Sequence, residues 1–504
     1  MITTINSANL FLSHENWVGL MPFLIMLAGA MGSMLLGTFQ FGHGPMRKLP
    51  LFLFSALFVV AAGIWSATHI SHEAMPLFGG MMQVDYFSSL FTMMLCGATL
   101  LVMMGCFSYL EKEHIHFSEF YPIIIVSTLG MMLLSAVTEL LCIFIALELM
   151  SLAVYVLVGM RRKDALSNEA SVKYFIMGGV AAAIFLYGTS LIYGALNTTK
   201  LMDIAAVIAR DPSQLHNPIL LAGLVFVTVA FLFKVAVVPF HMWTPDVYEG
   251  APTLVTSYMA TALKAAVFAA FIRIASAFYG DHGVSRMGGE TVLLHDIIWI
   301  LALLTMVLGN FVALAQKNLK RLLAYSAIAH TGYLLVGILA GPKVGYSTLV
   351  FYLVAYIAMN LGAFGVLAIL SSKEDRNLTV ESMAGLGNRK PWTAAALTIF
   401  LLSLGGMPPT AGFVAKYYIF SAAIEAGETT LVLLGVLTSA VAVFYYLRIV
   451  VNMYMKEAGA ESGEAVVTNS AFAFASILVC VLLTIHLGLF PGQLLHAMKH
   501  IALF

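Results

Sequence analysis

Apolar stretches of about twenty residues recur from one end of this chain to the other, and they decide its solvent before any single residue is considered. A hydrocarbon core about 30 Å thick takes roughly 20 helical residues, and a soluble core has no room for so many such runs. Of the 504 residues, 61% are hydrophobic and only 10% are charged, against about 45–50% and about 25% in ordinary globular domains. The expected fold is an all-α polytopic membrane protein. Spans are read at 17–37, 48–70, 86–108, 117–136, 138–160, 170–195, 218–242, 253–279, 296–315, 320–341, 346–371, 392–425, 429–455 and 469–490, about fourteen in all, with no soluble domain longer than a loop.

Several function classes drop out. Lys+Arg and Asp+Glu are 25 each, so no basic excess points to nucleic acid or anionic lipid. Cys96, Cys106, Cys142 and Cys480 all lie in apolar stretches without a C-x-x-C pair, which argues against iron–sulfur ligation, a zinc site or a disulfide framework. No glycine-rich loop joins a strand to a helix as nucleotide binding requires. Any redox cofactor is therefore expected on another chain. The first basic residue is Arg47, so the first apolar stretch reads as a retained span rather than a signal peptide.

Short cytoplasmic loops collect Lys and Arg. With the N-terminus outside, the cytoplasmic side holds sixteen basic residues: Arg47, Lys48, Lys112, Arg161, Arg162, Lys163, Lys173, Lys317, Lys320, Arg321, Lys373, Arg376, Arg389, Lys390, Arg448 and Lys456. The opposite side holds five, Lys200, Arg210, Arg286, Lys343 and Lys499. That bias, kept over thirteen alternations, favours an even helix number with both termini outside.

Four basic residues remain, Lys234, Lys264, Arg273 and Lys416. Arg273 lies about two turns from the end of its helix, and the simplest expectation is that it snorkels to the interface. The three lysines sit ten or more residues from at least one span end, where a charge costs about 2.5–3.5 kcal/mol even on a lenient scale. Glu148, near the middle of the fifth span, poses the same problem with opposite sign. A structural ion pair accounts for Glu148 and one lysine but leaves the other two lysines without an obvious acid. Lysines that spend time neutral fit better, because desolvation disfavours the charged form. Groups that change charge inside a membrane move protons.

Two of the lysines stand beside helix breakers. Lys234 precedes Pro239 in FLFKVAVVPFHMW, and Lys416 follows SLGGMPPTAGF, where Gly405, Gly406, Pro408 and Pro409 interrupt the backbone ladder. Prolines that merely kink a membrane helix are common. A break recurring once in each half nevertheless points to inverted five-helix repeats with broken seventh and twelfth spans. The chain then divides into an N-terminal three-helix segment at 1–116, a first repeat at 117–280, a second at 281–456 and a C-terminal helix at 457–504, each repeat a half-channel. His330, in YSAIAHTGYLL, is a packing group or a proton carrier between Lys264 and Lys416; its near-neutral intrinsic pKa suits the latter. His241 is a wet-cavity or interface residue, or a relay. Lys173 and Glu169 form an i,i+4 pair, and Glu139 is a proton-uptake group or a subunit contact.

Four segments carry a resemblance: FLFKVAVVPFHMWTPDVYEGAPT at 231–253, TSYMATALKAAVF at 256–268, GNFVALAQKNLKRLLAYSAIAHTGYLLVG at 309–337 and SLGGMPPTAGFVAKYYIF at 403–420. They resemble the antiporter-like membrane subunits of respiratory complex I over about residues 80–455. The resemblance implies a proton relay with Glu148 as acidic partner, Lys234 as switching lysine, Lys264 as central lysine and Lys416 as terminal lysine, with His330 as a tentative intermediate. It implies no cofactor on this chain, while NADH, FMN, iron–sulfur clusters and quinone belong to the complex. Implied partners are other membrane subunits, the neighbouring antiporter-like subunit M and small subunits such as K, in a bacterial inner membrane. The same core helices occur in Mrp-type cation/proton antiporters and in related hydrogenase or ferredoxin-linked complexes. A different expectation is a purely structural membrane subunit.

Overall fold

A computed structural model describes residues 14–39, 49–70, 74–113, 115, 117–279, 293–371, 375, 378–457 and 470–498. Arg47, Lys48, Arg286, Lys373, Arg376 and Lys499 of the loop charge map lie outside the described residues. The chain opens with α1 (His14–Thr38) and α2 (Leu49–Thr68), followed by a short antiparallel hairpin, β1 (Met75–Leu77) and β2 (Met82–Val84). Then come α3 (Tyr86–Lys112), α4 (Phe120–Ala136), α5 (Leu140–Val158), α6 (Ala165–Leu196), the short α7 (Leu201–Arg210), α8 (Pro218–Lys234) and α9 (Trp243–Gly250). A continuous span at Thr253–Phe278 consists of α10 (Thr253–Tyr258), a π-turn at Met259–Leu263 and α11 (Lys264–Tyr279). The second half holds α12 (Leu293–Ala315), α13 (Leu319–Leu339), α14 (Tyr346–Leu370), α15 (Leu386–Arg389), α16 (Pro391–Gly405), α17 (Ala411–Glu425), α18 (Thr429–Met455), α19 (Ala471–Leu489) and α20 (Gly492–Met498).

Among the described residues, 11 helices are long and apolar enough to cross a membrane, and Phe120–Ala136, Pro218–Lys234 and Pro391–Gly405 are shorter apolar helices. Both expected interruptions are present. The seventh expected span stops as a helix at Lys234 and resumes only as α9, and the twelfth is divided into α16 and α17. Between the helices, loop polar residues act as caps. Asp85 accepts from Ser88 N and starts α3, Asp164 accepts from Leu166 N at α6, and Asn318 accepts from the amides of Lys320 and Arg321 at α13. Each satisfies donors that a helix start leaves open. Glu139 belongs to this set. Its carboxylate accepts from Cys142 N at 2.8 Å and from the Thr199 hydroxyl at 2.5 Å, so its observed work is to cap α5.

Burial is graded across the bundle. The most apolar window of Thr253–Phe278 is entirely buried, that of α13 is 94% buried and that of α14 89%, whereas α2 and α19 reach only 28%. The central helices are therefore those carrying Lys264 and His330, and the outer ones present apolar side chains to the surroundings, as lipid requires. α12 and α13 pack with glycine at the contact. A Cβ on Gly309 would stand 2.6 Å from Ala329 N, so no larger residue lets these backbones approach so closely.

Arg273 departs from expectation. It is fully buried, its guanidinium pairs with both carboxylate oxygens of Asp85 at 2.9 and 3.0 Å, its Nε donates to Ser135 O at 2.7 Å, and it lies over the Phe87 ring. It does not snorkel, because the cap of α3 supplies a counter-charge inside the protein. Arg161 and Lys320, counted as loop charges, are buried as well. Arg161 pairs with Glu113 at 2.8 Å and Asp375 at 2.5 Å; Lys320 Nζ lies 3.6 Å from Asp375 and donates to the Glu249 and Ala251 carbonyls. Burial by itself raises the Asp375 carboxyl. The charges of Lys320 and Arg161 and the Thr253 hydroxyl outweigh it and hold the group well below the usual carboxylate range.

Candidate proton-relay site

Lys234 is the last residue of α8, where the backbone ladder ends at the first break. Its ammonium donates to Ser151 Oγ at 2.9 Å and Tyr155 Oη at 3.2 Å on α5. Glu148, Ser151 and Tyr155 follow one another at helical spacing along one face of α5. Glu148 itself is half-buried, and among the described residues no ion pair within 4.0 Å joins it to Lys234. The acid thus shares a face of α5 with the two hydroxyls that hold the lysine, without pairing with the lysine itself.

Lys264 opens α11 directly after the π-turn, a helix irregularity frequent at functional positions. Its Nζ donates to Ala327 O at 2.7 Å and Thr331 Oγ1 at 2.8 Å, both on α13. Thr331 in turn donates to Val235 O at 2.9 Å, next in sequence to Lys234. The break of the first half is thus stitched to the central lysine through one threonine hydroxyl.

From Lys264 the polar groups continue across the core. The ammonium lies 5.5 Å from the Tyr356 ring centroid, and the His330 ring is 5.0 Å from the same ring. On its other side His330 is 5.6 Å from the Tyr333 ring, over which Lys416 sits at 5.1 Å. His330 is 2% exposed, and its Nδ1 lies 2.6 Å from the Tyr352 hydroxyl. The histidine therefore stands between the two lysines, each approached through a tyrosine.

Lys416, on α17, turns back to the end of α16 and donates to the Leu404 and Gly405 carbonyls at 3.1 Å each, and to Ser439 Oγ of α18 at 2.8 Å. The carbonyl end of a helix is its electronegative pole, so the break provides a seat for an ammonium without a carboxylate. Gly406 makes room for it. With φ +83°, it holds a backbone conformation that other residues resist, and a Cβ there would stand 3.0 Å from Lys416 Cδ. An open groove of about 580 Å³ between α16, α17 and α18, lined by exposed side chains such as Tyr417 and Ile424, reaches Lys416 and Ser439.

Of the five residues singled out from the sequence, Lys234, Lys264, His330 and Lys416 are buried in the core, whereas Glu148 stands half-buried on the face of α5 that carries Ser151 and Tyr155. The hydroxyls that hold the lysines, Ser151, Tyr155, Thr331 and Ser439, carry no charge to distinguish them from packing residues in an apolar helix. His241 is 9% exposed beside the first break, away from those described contacts. Lys173 pairs with Glu169 at 2.6 Å as expected and with Asp246 at 3.0 Å in addition.

Residues 137–442 match the family described as NADH:quinone oxidoreductase/Mrp antiporter, TM. The chain is 42% identical to NADH-quinone oxidoreductase subunit N of Trichlorobacter lovleyi over 456 residues, 90% of each chain. A solved chain of respiratory complex I from Thermus thermophilus matches with a TM-score of 0.78 at 32% identity, covering 95% of this chain and 100% of that one. A chain of the Mrp complex from Dietzia sp. matches with a TM-score of 0.81 at 20% identity, over 96% of each, which speaks to fold alone.

Proposed function

The chain belongs to the NADH:quinone oxidoreductase/Mrp antiporter membrane family, and we propose that it is the proton-translocating subunit that occupies the place of subunit N in a NADH:quinone oxidoreductase. Electron transfer from NADH to quinone, through FMN and iron–sulfur centres on other subunits, drives proton movement through this one. Fourteen spans, two inverted five-helix repeats at 117–280 and 281–456, and termini on the non-cytoplasmic side of a bacterial inner membrane complete the reading. Subunit M and small subunits such as K are its neighbours.

The observation that carries the proposal is the row of buried proton-carrying groups Lys234, Lys264, His330 and Lys416, with Thr331 bridging Lys264 to the Val235 carbonyl beside Lys234, and a lysine at each helix break. In the proposed cycle, approach of Glu148 to Lys234 holds a proton on the lysine, and separation releases it toward Lys264. At an effective dielectric near 20, a pair about 4 Å apart interacts by about 4 kcal/mol. Moving one charge across about 200 mV costs roughly 4.6 kcal/mol, so one such switch per proton is of the right size. Ser151 and Tyr155 hold the ammonium while the acid stands off. The proton then passes Lys264, His330 and Lys416 in turn.

Lys234→Ala and Glu148→Ala are each expected to abolish NADH-driven proton uptake by inverted membrane vesicles while the complex still assembles on native gels. Full pumping by either assembled variant defeats the path. An Mrp-type antiporter or a ferredoxin-linked complex shares the fold; the isolated native complex separates these by its FMN, iron–sulfur signals and NADH:quinone activity.

A further inference from the structure

Beyond Lys416 the buried polar groups continue. The Tyr333 hydroxyl lies by Thr438 and Ser439, the latter a partner of Lys416, and accepts from Asn310 Nδ2 at 3.0 Å. Asn310 Oδ1 accepts from the Tyr445 hydroxyl at 3.2 Å. The Tyr445 ring packs against that of Tyr446 with centroids 4.4 Å apart, and Tyr446 is hydrogen-bonded to Ser326. Asn310, Tyr333, Tyr445, Tyr446 and Ser326 are each 2% exposed or less. Asn310 is five residues from the end of α12, and Ser326 seven from the start of α13. The Tyr445–Tyr446–Ser326 group therefore lies toward the 316–318 loop, and the Tyr333–Ser439–Lys416 group toward mid-bundle.

Every member of this chain but one is a hydroxyl or an amine. A hydroxyl accepts a proton at its oxygen and gives up the one it carries, so a row of hydroxyls passes protons along. A carboxamide separates these abilities: its nitrogen only donates and its oxygen only accepts, whichever way the amide is turned. We propose that Asn310 is a proton insulator, an amide plug that keeps the Lys416 end of the relay from short-circuiting to the 316–318 side through the tyrosine hydroxyls. The Met306 carbonyl, which accepts from Asn310 Nδ2 at 2.8 Å, holds the plug in register. The inference rests on the reading of Lys416 as a proton carrier.

Asn310→Asp keeps shape and volume but replaces the amide by a carboxyl. One oxygen can then form an O–H bond with the proton released by Tyr445 while the other oxygen gives its proton to Tyr333, which passes its own to Ser439 and Lys416. Each hop makes one O–H or N–H bond and breaks one. The test is passive proton conductance of the whole complex in liposomes, without NADH, under a potassium–valinomycin potential and read by an internal pH dye. N310D is expected to leak at least roughly tenfold faster than the parent, with NADH:quinone turnover retained and steady acidification lost. Adding Tyr445→Phe to N310D removes the next hydroxyl and is expected to restore tightness, which general damage to the bundle would not allow. Should N310D fail to assemble, Asn310→Ser, with water filling the vacated space, carries the same expectation. An assembled variant as tight as the parent, or a leak that survives Tyr445→Phe, overturns the proposal. Lys416→Leu separates the two levels: if it pumps normally the relay reading falls, whereas if it fails to pump and N310D stays tight only the plug falls.

Discussion

Lys264 Nζ donates to Thr331 Oγ1 at 2.8 Å, and the same hydroxyl donates on to the carbonyl of Val235, beside Lys234. One threonine thus joins the central lysine to the broken helix of the first half. Thr331→Val keeps the shape and deletes the oxygen. Hydrogen bonds to charged groups are worth about 1.5–3 kcal/mol, so proton pumping in vesicles is expected to fall by roughly tenfold or more, with Thr331→Ser close to the parent. Equal pumping by the valine variant would remove Thr331 from the path.

The Arg273–Asp85 pair is buried, and removing one partner strands the other. Arg273→Leu and Asp85→Asn are each expected to cost about 3–5 kcal/mol, seen as a lower melting temperature of the detergent-solubilised complex. Arg273→Lys recovers only part of that, since one ammonium in place of the planar fork cannot hold Asp85 and also supply the Nε bond to Ser135 O.

Asp375 makes a prediction about pH. Its carboxyl is held below the usual range by Lys320 and Arg161 against the opposing effect of burial. A depressed folded value means that the ionised form stabilises the protein above the unfolded value of about 3.9 and that this contribution is lost as pH falls through the lower folded value. Asp375→Asn is therefore expected to destabilise strongly at pH 7 and progressively less as pH drops below about 4, measured by thermal denaturation at both ends. A gap that stays constant with pH would refute the ion-pair account.

Gly406 predicts a local effect on Lys416. Gly406→Ala is expected to cost more than about 1 kcal/mol from its positive φ and to displace the lysine stem. Proton pumping falls while NADH oxidation by an artificial acceptor is unchanged. Normal pumping in an assembled Gly406→Ala complex would show that the ammonium does not depend on this seat.

How much of this was legible beforehand depends on what a residue type reveals about depth. Lys234, Lys264, Lys416 and Glu148 stood out because a charge within an apolar run has no cheap explanation, and the two helix breaks stood out because proline and glycine act on the backbone wherever they lie. Arg273 looks like a snorkelling residue in the sequence because its partner, Asp85, is 188 residues away and nothing local announces it. Position along the chain places Lys320 at a loop, yet the turn from α9 to α10 at Glu249–Ala251 folds over it. Tyr333, Thr331 and Asn310 could not be told from packing residues, since a neutral polar group in a membrane helix acquires meaning only from what it faces.

Lys264 and Lys416 rest on neutral oxygens, those of Ala327, Thr331, Leu404, Gly405 and Ser439. When either amine gives up its proton, no carboxylate among the described residues is stranded beside it, and the penalty of about 3–5 kcal/mol for orphaning half of a buried ion pair does not arise. Loaded and empty forms then differ by little more than one solvation event. Such a station can wait in either condition, with its occupancy set by the charges that arrive from its neighbours.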